Sequence, residues 1–424
     1  YRVNILAMLS NSNRVKTFSS SSSPVSHHLR RLLDEIRGET AFKYIAIANE
    51  LIRKGYDVIS FGAGQPDIPT PDHIIEAAKA SLDRRFTGYT ETAGILKLRE
   101  AIADYLNERY KASVTPDEII VTTGAKTAIF VAIASYIEPG DEIIVIDPSY
   151  PAYAEAAKML GGVPKYLTLK FDEARGFEID LEKLESMITS RTKIIAFNNP
   201  HNPTGAVFPP RVVDEIMRIA ERRNVIVLSD EIYDNFIYDN APFKSVSEIS
   251  GWKDRAILIN GFSKTFSMTG WRLGYVVARR DVIEKMTRVA VNVYSCATSF
   301  AQEAAVAAIR GDWTPSRKMI ELFKRRRDVI YEELRRIEGF ETWKPLGAFY
   351  IYPRVSSLLR RIKMSVEEFV DYLIDKHRVI ILPGTAFSEI SGEDFVRFSY
   401  SISEERIREG VKRIREAVNE LLNR

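Results

Sequence analysis

The sequence predicts an α/β protein, with a large domain whose mostly parallel sheet is sandwiched by helices and a smaller α+β domain. Short runs rich in Val and Ile alternate with helical stretches, which is typical of parallel sheets covered on both faces. After about residue 300 the alternation gives way to long helices and shorter strand signals. A length of 424 residues with 45% hydrophobic side chains is enough for two such domains.

The strands predicted for the large domain are short apolar runs, which cover residues 119–121, 143–146, 194–197, 225–228, 257–259 and 273–277. Helical periodicity separates several of them, as over residues 125–137 and 210–223. The remaining elements are predicted helices over residues 41–54, 313–336 and 404–422, and predicted strands over residues 348–352, 379–382 and 396–399.

We expect residues 65–304 to form the large domain, and residues 34–64 together with 305–424 to form the small one. Residues 1–33 stand apart because they are rich in Ser and contain basic but no acidic side chains. Such a start is typical of an organelle transit peptide. A disordered leader or an upstream-extended start explains it more simply, so we expect a cytoplasmic protein.

Composition excludes several classes of protein. Lys and Arg number 60 against 57 Asp and Glu, and a net charge of +3 predicts no nucleic-acid surface. The single cysteine, Cys296, cannot form an intramolecular disulfide or a Cys-rich metal site. Polar residues interrupt the most apolar stretch, residues 289–309, so no membrane span is predicted. Scarce Gln and 28% charged residues are typical of thermophile proteins.

Side chains with useful chemistry follow the predicted strands at their carboxyl ends, where open α/β sheets bind ligands. In chain order they are Gly124 and Ala125 at a helix start, Tyr150, Asn202, Asp230 with Tyr233, and Lys264. This set does not resemble a metal site, and the five histidines show no metal-ligand spacing. It suits an anionic, aromatic cofactor that carries a carbonyl group. The sequence contains no GxGxxG and no GxxxxGK[ST] motif.

The segments that carry these residues resemble the class I/II aminotransferases, the aspartate-aminotransferase-like group of fold-type I pyridoxal-phosphate enzymes. They are FGAGQPD (61–67), GYTETAGILKLREAIA (88–103), TTGAK (122–126), NNPHNPTG (198–205), SDEIYDNFIY (229–238), NGFSKTFSMTGWRLGY (260–275) and VRFSYS (396–401). The resemblance extends from about residue 35 to the end. It implies the fold-type I architecture, pyridoxal 5'-phosphate (PLP) as cofactor, and ping-pong transfer of an amino group from an L-amino acid to a 2-oxo acid.

The resemblance assigns catalysis to Lys264, Asp230 and Tyr233. Lys264 is the expected Schiff-base lysine, which moves the substrate's Cα proton once the substrate amine has displaced it. Asp230 is expected to keep the pyridine nitrogen of the cofactor protonated. Asn202 and Tyr233 are expected to hydrogen-bond the phenolate oxygen of the cofactor, and Tyr150 to stack on its ring.

The cofactor's phosphate is expected at the backbone of Gly124, Ala125 and Lys126, because the N–H groups at a helix start attract anions. Arg272 resembles the arginine that grips this phosphate with its guanidinium group, and Ser263 adds a hydroxyl. The resemblance therefore implies a phosphate site built from both backbone and side-chain donors.

The substrate's α-carboxylate is expected at Arg397, beside the backbone of Gly64, with Tyr150 and Asn202 also contacting the substrate. One position departs from the family, because many relatives have serine three residues before the lysine, where this chain has Gly261. One hydrogen bond to the phosphate is therefore expected to be missing.

A homodimer is implied by the resemblance as well. Tyr89 resembles a tyrosine that reaches the phosphate of the neighbouring subunit, and Ser295 is expected near the same interface. Each active site would then be composite, and a monomer would be inactive.

Other functions share this fold, namely fold-type I lyases such as C–S β-lyases, cyclising synthases, and regulators that keep the cofactor pocket. We favour transamination. The sequence signals for the amino-acid donor conflict with one another. Residues 291–293 lack the arginine that one subgroup of the family uses for acidic substrates. Lys126 resembles a basic residue that another subgroup uses for them, whereas Glu39 would oppose them. We expect aspartate or an aromatic amino acid as donor and 2-oxoglutarate as acceptor.

Overall fold

The computed structural model describes residues 31–423. Its α-helices are α1 (Thr40–Arg53), α2 (Asp72–Asp83), α3 (Leu96–Tyr110), α4 (Ala125–Ala134), α5 (Ala152–Met159), α6 (Leu181–Met187), α7 (Pro210–Arg223), α8 (Arg280–Tyr294), α9 (Ser299–Arg310), α10 (Thr314–Leu334), α11 (Ser356–Ile362), α12 (Val366–Tyr372) and α13 (Glu404–Leu422). Its strands are β1 (Ile59–Ser60), β2 (Ile119–Thr122), β3 (Glu142–Asp147), β4 (Val163–Thr168), β5 (Lys170–Asp172), β6 (Gly176–Glu178), β7 (Thr192–Asn198), β8 (Ile226–Asp230), β9 (Ala256–Gly261), β10 (Gly274–Val277), β11 (Tyr350–Ile351), β12 (Val379–Ile380), β13 (Leu382–Pro383) and β14 (Val396–Ser399).

A seven-stranded sheet forms the centre of the larger part of the protein, in the order β2-β10-β9-β8-β7-β3-β4. All its strands run parallel except β10, which is antiparallel to both of its neighbours. Every residue of β3 and β9 is buried, because helices cover both faces of the sheet. The predicted α/β class with a mostly parallel sheet is confirmed.

Alternation along the strands divides the core between the two faces of the sheet. In β7, Ile195 and Phe197 join one hydrophobic cluster, while Ile194 and Ala196 join the other. The first cluster continues into the C-terminal part of the chain, and the second lies under α4, α5 and α8. The sheet is therefore held rigidly from both sides, and its strand ends are fixed relative to one another.

The strand ends bring the predicted site residues to one edge of this sheet. In the pairing of β7 with β8, Asn198 lies opposite Asp230, and Asp230 in turn lies opposite Ile259 of β9. The residues that follow these strands in sequence, among them Asn202 and Lys264, consequently leave the sheet side by side.

A second, smaller group of elements comes mainly from the C-terminal part. It contains the three-stranded sheet β11-β14-β13, and helices α10 and α13, which pack against each other. Strand β1 joins this group, because it pairs with β12 in parallel, with Ile59 opposite Val379. Segments from the start and the end of the chain thus fold together around one core.

The predicted domain boundary between residues 304 and 305 falls inside α9, which packs on α2 and α3 of the larger part. We therefore propose to place the boundary in the turn between α9 and α10. Of the predicted leader, residues 1–30 lie outside the described part, and residues 31–33 belong to the 3-10 turn Arg31–Asp34. Within residues 31–423 no helix is long and apolar enough to cross a membrane.

Candidate functional site

A cavity of about 570 Å³ lies where the carboxyl ends of the large sheet face the smaller group of elements. The predicted site residues that line it are Gly64, Ala125, Lys126, Tyr150, Asn202, Asp230, Tyr233, Ser263, Lys264, Arg272 and Arg397. Residues from seven separate segments of the sequence are thus brought together around a single space.

Lys264 follows the end of β9 and extends into this cavity. Its Nζ donates a hydrogen bond to the Gly64 carbonyl oxygen at 2.5 Å, and lies 5.7 Å from the ring centres of Tyr233 and Phe349. Burial, reinforced by the positive charge of Arg397, lowers the pKa of Lys264 to about 8. A sizeable fraction of this amine is therefore neutral near pH 8, which is the form that attacks a carbonyl or accepts a proton.

Asp230, at the end of β8, is a buried carboxylate. Its oxygens accept hydrogen bonds from the Tyr153 hydroxyl at 2.7 Å and the Ile232 N–H at 3.1 Å. Burial raises the pKa of Asp230, and within residues 31–423 no Lys, Arg or His forms an ion pair with it. A buried carboxylate with donors but no paired cation fits the protonated ring nitrogen of a heteroaromatic ligand.

Arg397, in β14, is a buried cation. Its Nη1 donates to the Asn202 Oδ1 at 3.3 Å and its Nη2 to the Gly62 carbonyl at 2.9 Å. The rings of Tyr350 and Phe387 each lie 4.5 Å from the guanidinium carbon. The Nε has no hydrogen-bond partner, and no carboxylate in residues 31–423 pairs with the side chain. A carboxylate ligand would supply the missing anion.

The start of α4 lies directly against the Arg272 guanidinium. A Cβ added to Gly124, which has a φ of +95°, would lie 2.4 Å from the Arg272 Nη2, so a side chain at this position would displace the guanidinium group. Arg272 donates from Nη1 to the Thr269 carbonyl at 2.8 Å, which fixes the guanidinium at the helix start. With the buried Ser263 beside them, these groups form a cradle suited to a phosphate dianion.

A family model of the class I and II aminotransferases matches residues 56–414. The chain belongs to this family. It is 50% identical to the aspartate aminotransferase of Sulfurisphaera tokodaii over an alignment of 390 residues. This alignment covers 92% of this chain and 97% of the relative. The protein is a PLP-dependent transaminase, and the family, cofactor and reaction expected from its motifs are confirmed.

Two solved structures of aminotransferases show the same fold. The aspartate aminotransferase of Thermotoga maritima aligns with a TM-score of 0.85 and 35% identity, over 92% of this chain and 100% of that one. The aromatic aminotransferase of Pyrococcus horikoshii aligns with a TM-score of 0.81 and 36% identity, over 88% and 99% of the two chains.

Sequence reasoning missed three aromatic side chains of this aminotransferase's cavity. Tyr153 holds Asp230, Phe387 stacks on Arg397, and the Tyr350 hydroxyl hydrogen-bonds that of Tyr233 at 2.7 Å. Tyr153 is close to a predicted residue in the sequence, since it lies three positions after Tyr150, and the centres of the two rings are 6.1 Å apart. Tyr350 and Phe387 come from a short strand and a loop that carry no recognisable motif.

Two predicted residues, Tyr89 and Ser295, lie outside the cavity of their own chain. Tyr89 is 92% exposed, and Ser295 is exposed at the end of α8. Gly261, which replaces the family's serine, is crowded, because a Cβ there would lie 3.0 Å from the Gly274 Cα and from the Leu273 oxygen. The tight packing of β9 against β10 therefore disfavours a serine side chain at this position, and its hydroxyl is absent.

Two other titratable groups near the strand ends, His201 and Glu231, do not line the cavity. Burial lowers the pKa of His201 to about 3, and its ring hydrogen-bonds Thr204, so it is neutral. Glu231 accepts hydrogen bonds from Ser229 and from the Val246 N–H on the other side of β8, so it forms no dyad with its neighbour in the cavity. Within residues 31–423 no group of His, Cys, Asp and Glu is arranged to hold a metal ion.

Proposed function

We propose that this transaminase takes the amino group of aspartate, with aromatic amino acids as a second class of donor, and gives it to 2-oxoglutarate. The aspartate assignment rests on the position of Lys126 in the cavity wall. It adds a fourth cation to the cavity wall, beyond those suited to a phosphate, an α-carboxylate and an imine. A relative at 50% identity named as an aspartate aminotransferase and a structural neighbour named as an aromatic aminotransferase support both donor classes.

In this proposal the substrate enters with its α-carboxylate on Arg397 and its Cα beside Lys264. PLP, when bound, supplies the electron sink for the negative charge left as the Cα proton departs. Lys264 Nζ takes that proton and returns it, which its pKa of about 8 allows near neutral pH. Asp230 keeps the ring nitrogen protonated, while Asn202 and Tyr233 donate to the phenolate oxygen.

The other proposed contacts hold the cofactor in place. The backbone of Gly124, Ala125 and Lys126, with Arg272 and Ser263, binds its phosphate. Tyr150, which lines the cavity, stacks on its ring, and Gly64 lies beside the substrate carboxylate.

Replacing Lys126 by methionine is expected to lower kcat/KM for aspartate by about 10- to 100-fold, the loss of one charge-assisted contact of about 1.5–3 kcal/mol. Turnover of phenylalanine should change less than about twofold, since that donor has no second carboxylate. Steady-state kinetics with both donors measures the ratio. Lys54→Met, at the residue that follows α1 and outside the cavity lining, is the control. Equal losses for both donors would contradict the assignment.

A profile of the twenty amino acids, each with 2-oxoglutarate, tests the proposed function directly. We expect aspartate to be used, followed by phenylalanine, tyrosine and tryptophan, with glutamate formed in equal amount to the oxo acid. A C–S lyase or another eliminating enzyme would instead release its product when the acceptor is omitted. No turnover of aspartate would overturn the proposal.

We further propose a homodimer with composite sites, in which Tyr89 contacts the phosphate of the partner. The exposed apolar side chains Val291 and Val293, at the end of α8, support a face that another subunit covers. Co-expression of Tyr89→Ala and Lys264→Ala subunits tests it, because half of the sites in each hybrid would be intact. Activity well above that of both parents is expected, and purely additive activity would contradict shared sites.

We also propose a cytoplasmic location and a thermophilic source. The single cysteine, which needs no oxidising compartment, supports a cytoplasmic location. Ion-pair networks support a thermophilic source, as where Glu333 pairs with Arg336, Arg408 and Arg415.

A further inference from the structure

The cavity wall carries four cationic side chains and two carboxylates, namely Lys126, Lys264, Arg272, Arg397, Glu39 and Asp230. The proposed function uses three of the cations for the imine, the phosphate and the α-carboxylate, and uses Asp230 for the ring nitrogen. Two opposite charges remain, Glu39 and Lys126, and they form an ion pair with each other. The cation assigned to an acidic side chain is therefore already neutralised by the protein itself.

The contact between Glu39 and Lys126 joins two elements that are distant in the sequence. Glu39 precedes α1 in an N-cap position, yet its side chain caps no backbone N–H of that helix. It extends instead to a residue 87 positions later in the sequence, at the start of α4. The side chain of Glu39 is 26% exposed and that of Lys126 is 48% exposed, so both charges border the open cavity.

Two aromatic rings lie beside the ammonium group of Lys126 in addition to Glu39. The Nζ lies 5.5 Å from the ring centre of Tyr150 and 5.7 Å from that of Phe42, and these aromatic faces also attract a cation. An incoming carboxylate would therefore meet the carboxylate of Glu39 at the same ammonium group. The charge of Glu39 is also felt at Lys264 and Arg397, where it favours the protonated forms.

We propose that Glu39 is a specificity-determining residue that occupies the place of the substrate's side-chain carboxylate and must be displaced by it. The inference rests on the proposed function and deepens it. An acidic donor binds Lys126 only after Glu39 has withdrawn, whereas a neutral aromatic donor leaves the ion pair intact and packs on Phe42 and Ile45 at the cavity wall. Glu39 thus sets the balance between the two donor classes by weakening the acidic one.

The test compares Glu39→Gln with the wild-type holoenzyme. We measure the dissociation constant of maleate, a dicarboxylate that has no amino group to transfer, from the absorbance change of the bound cofactor. Because an exposed ion pair contributes up to about 1 kcal/mol, maleate should bind about three- to fivefold tighter to the variant. The value of kcat/KM for aspartate should rise by a similar factor, and that for phenylalanine should stay within about twofold.

Two further variants make the result specific. Glu50→Gln removes a carboxylate that pairs with Lys54 on α1 away from the cavity, and should leave maleate binding unchanged. In a Lys126→Met background, Glu39→Gln should tighten maleate binding clearly less than it does in the wild type, whereas a general change of local structure would act equally in both backgrounds.

Unchanged or weaker maleate binding by Glu39→Gln would overturn the inference. Its failure is distinguishable from failure of the proposed function. The donor assignment depends on whether the wild-type enzyme uses aspartate at all. The role of Glu39 depends on how maleate binding differs between the variant and the wild type, which can be measured whichever donor the enzyme prefers.

Discussion

Replacing Lys264 by alanine is expected to lower kcat by about 10²–10⁴-fold for every donor, which is the contribution of a positioned acid–base group. The loss should be common to acidic and aromatic donors, because Lys264 acts at Cα and not at the side chain. Single-turnover measurements of cofactor absorbance after mixing with aspartate check this. The variant should keep its melting temperature within a few degrees, since the side chain makes a single hydrogen bond, to Gly64.

The same amine gives a pH dependence that can be measured. Burial holds the pKa of Lys264 at about 8, below the ordinary value of 10.5, so the neutral, nucleophilic form predominates above pH 8. Capture of added PLP by the cofactor-free protein should accelerate from pH 6 to about pH 8 and then level off. A rate that continues to rise toward pH 10.5 would contradict the assignment of this environment to Lys264. Turnover by Lys264→Ala near the wild-type rate would contradict its catalytic role.

Replacing Arg397 by leucine is expected to lower kcat/KM for all donors by roughly 30- to several-thousand-fold, the cost of about 2–5 kcal/mol when a buried charge loses its partner. Every amino acid carries the α-carboxylate, so kcat/KM should fall to the same extent for acidic and aromatic donors. This common loss contrasts with Lys126→Met, which should affect only acidic donors. Steady-state kinetics with aspartate and phenylalanine, beside the absorbance of bound PLP, separates substrate binding from cofactor binding.

Arg397→Lys provides the matched control. Lysine keeps the charge but lacks the planar fork that binds both carboxylate oxygens, so it should restore only a small part of the activity. Full recovery by lysine would show that charge alone is needed. An effect of Arg397→Leu confined to one donor class would contradict its position at the α-carboxylate.

Much of the fold follows from local pattern. The buried strands β3, β7, β8 and β9 read as continuous Val- and Ile-rich runs, because both of their faces are covered. The sequence pattern does not predict strand β4, because this strand lies at the sheet edge, is only partly buried and contains Pro164. The direction of β10 has no local signal, because an antiparallel strand within a parallel sheet is fixed by the path of the chain.

The sequence predicts the site residues that stand in motifs, but not those that reach the cavity from distant segments. Lys264, Asp230 and Arg272 stand in motifs at strand ends, so the sequence alone brings them to one edge of the sheet. Tyr350 enters from the other part of the chain, and its contact with Tyr233 depends on how the two groups of elements meet. The pairing of Glu39 with Lys126 joins residues 87 positions apart, which no spacing rule anticipates.

The cavity carries out both halves of a ping-pong transamination. The most direct measurement follows the visible absorbance of the holoenzyme after addition of aspartate alone, and then of 2-oxoglutarate. Aspartate should convert the cofactor stoichiometrically to its pyridoxamine form with release of oxaloacetate, and 2-oxoglutarate should restore the original spectrum with release of glutamate. A spectrum that does not change with any amino acid, or continuous product release without the oxo acid, would contradict the account.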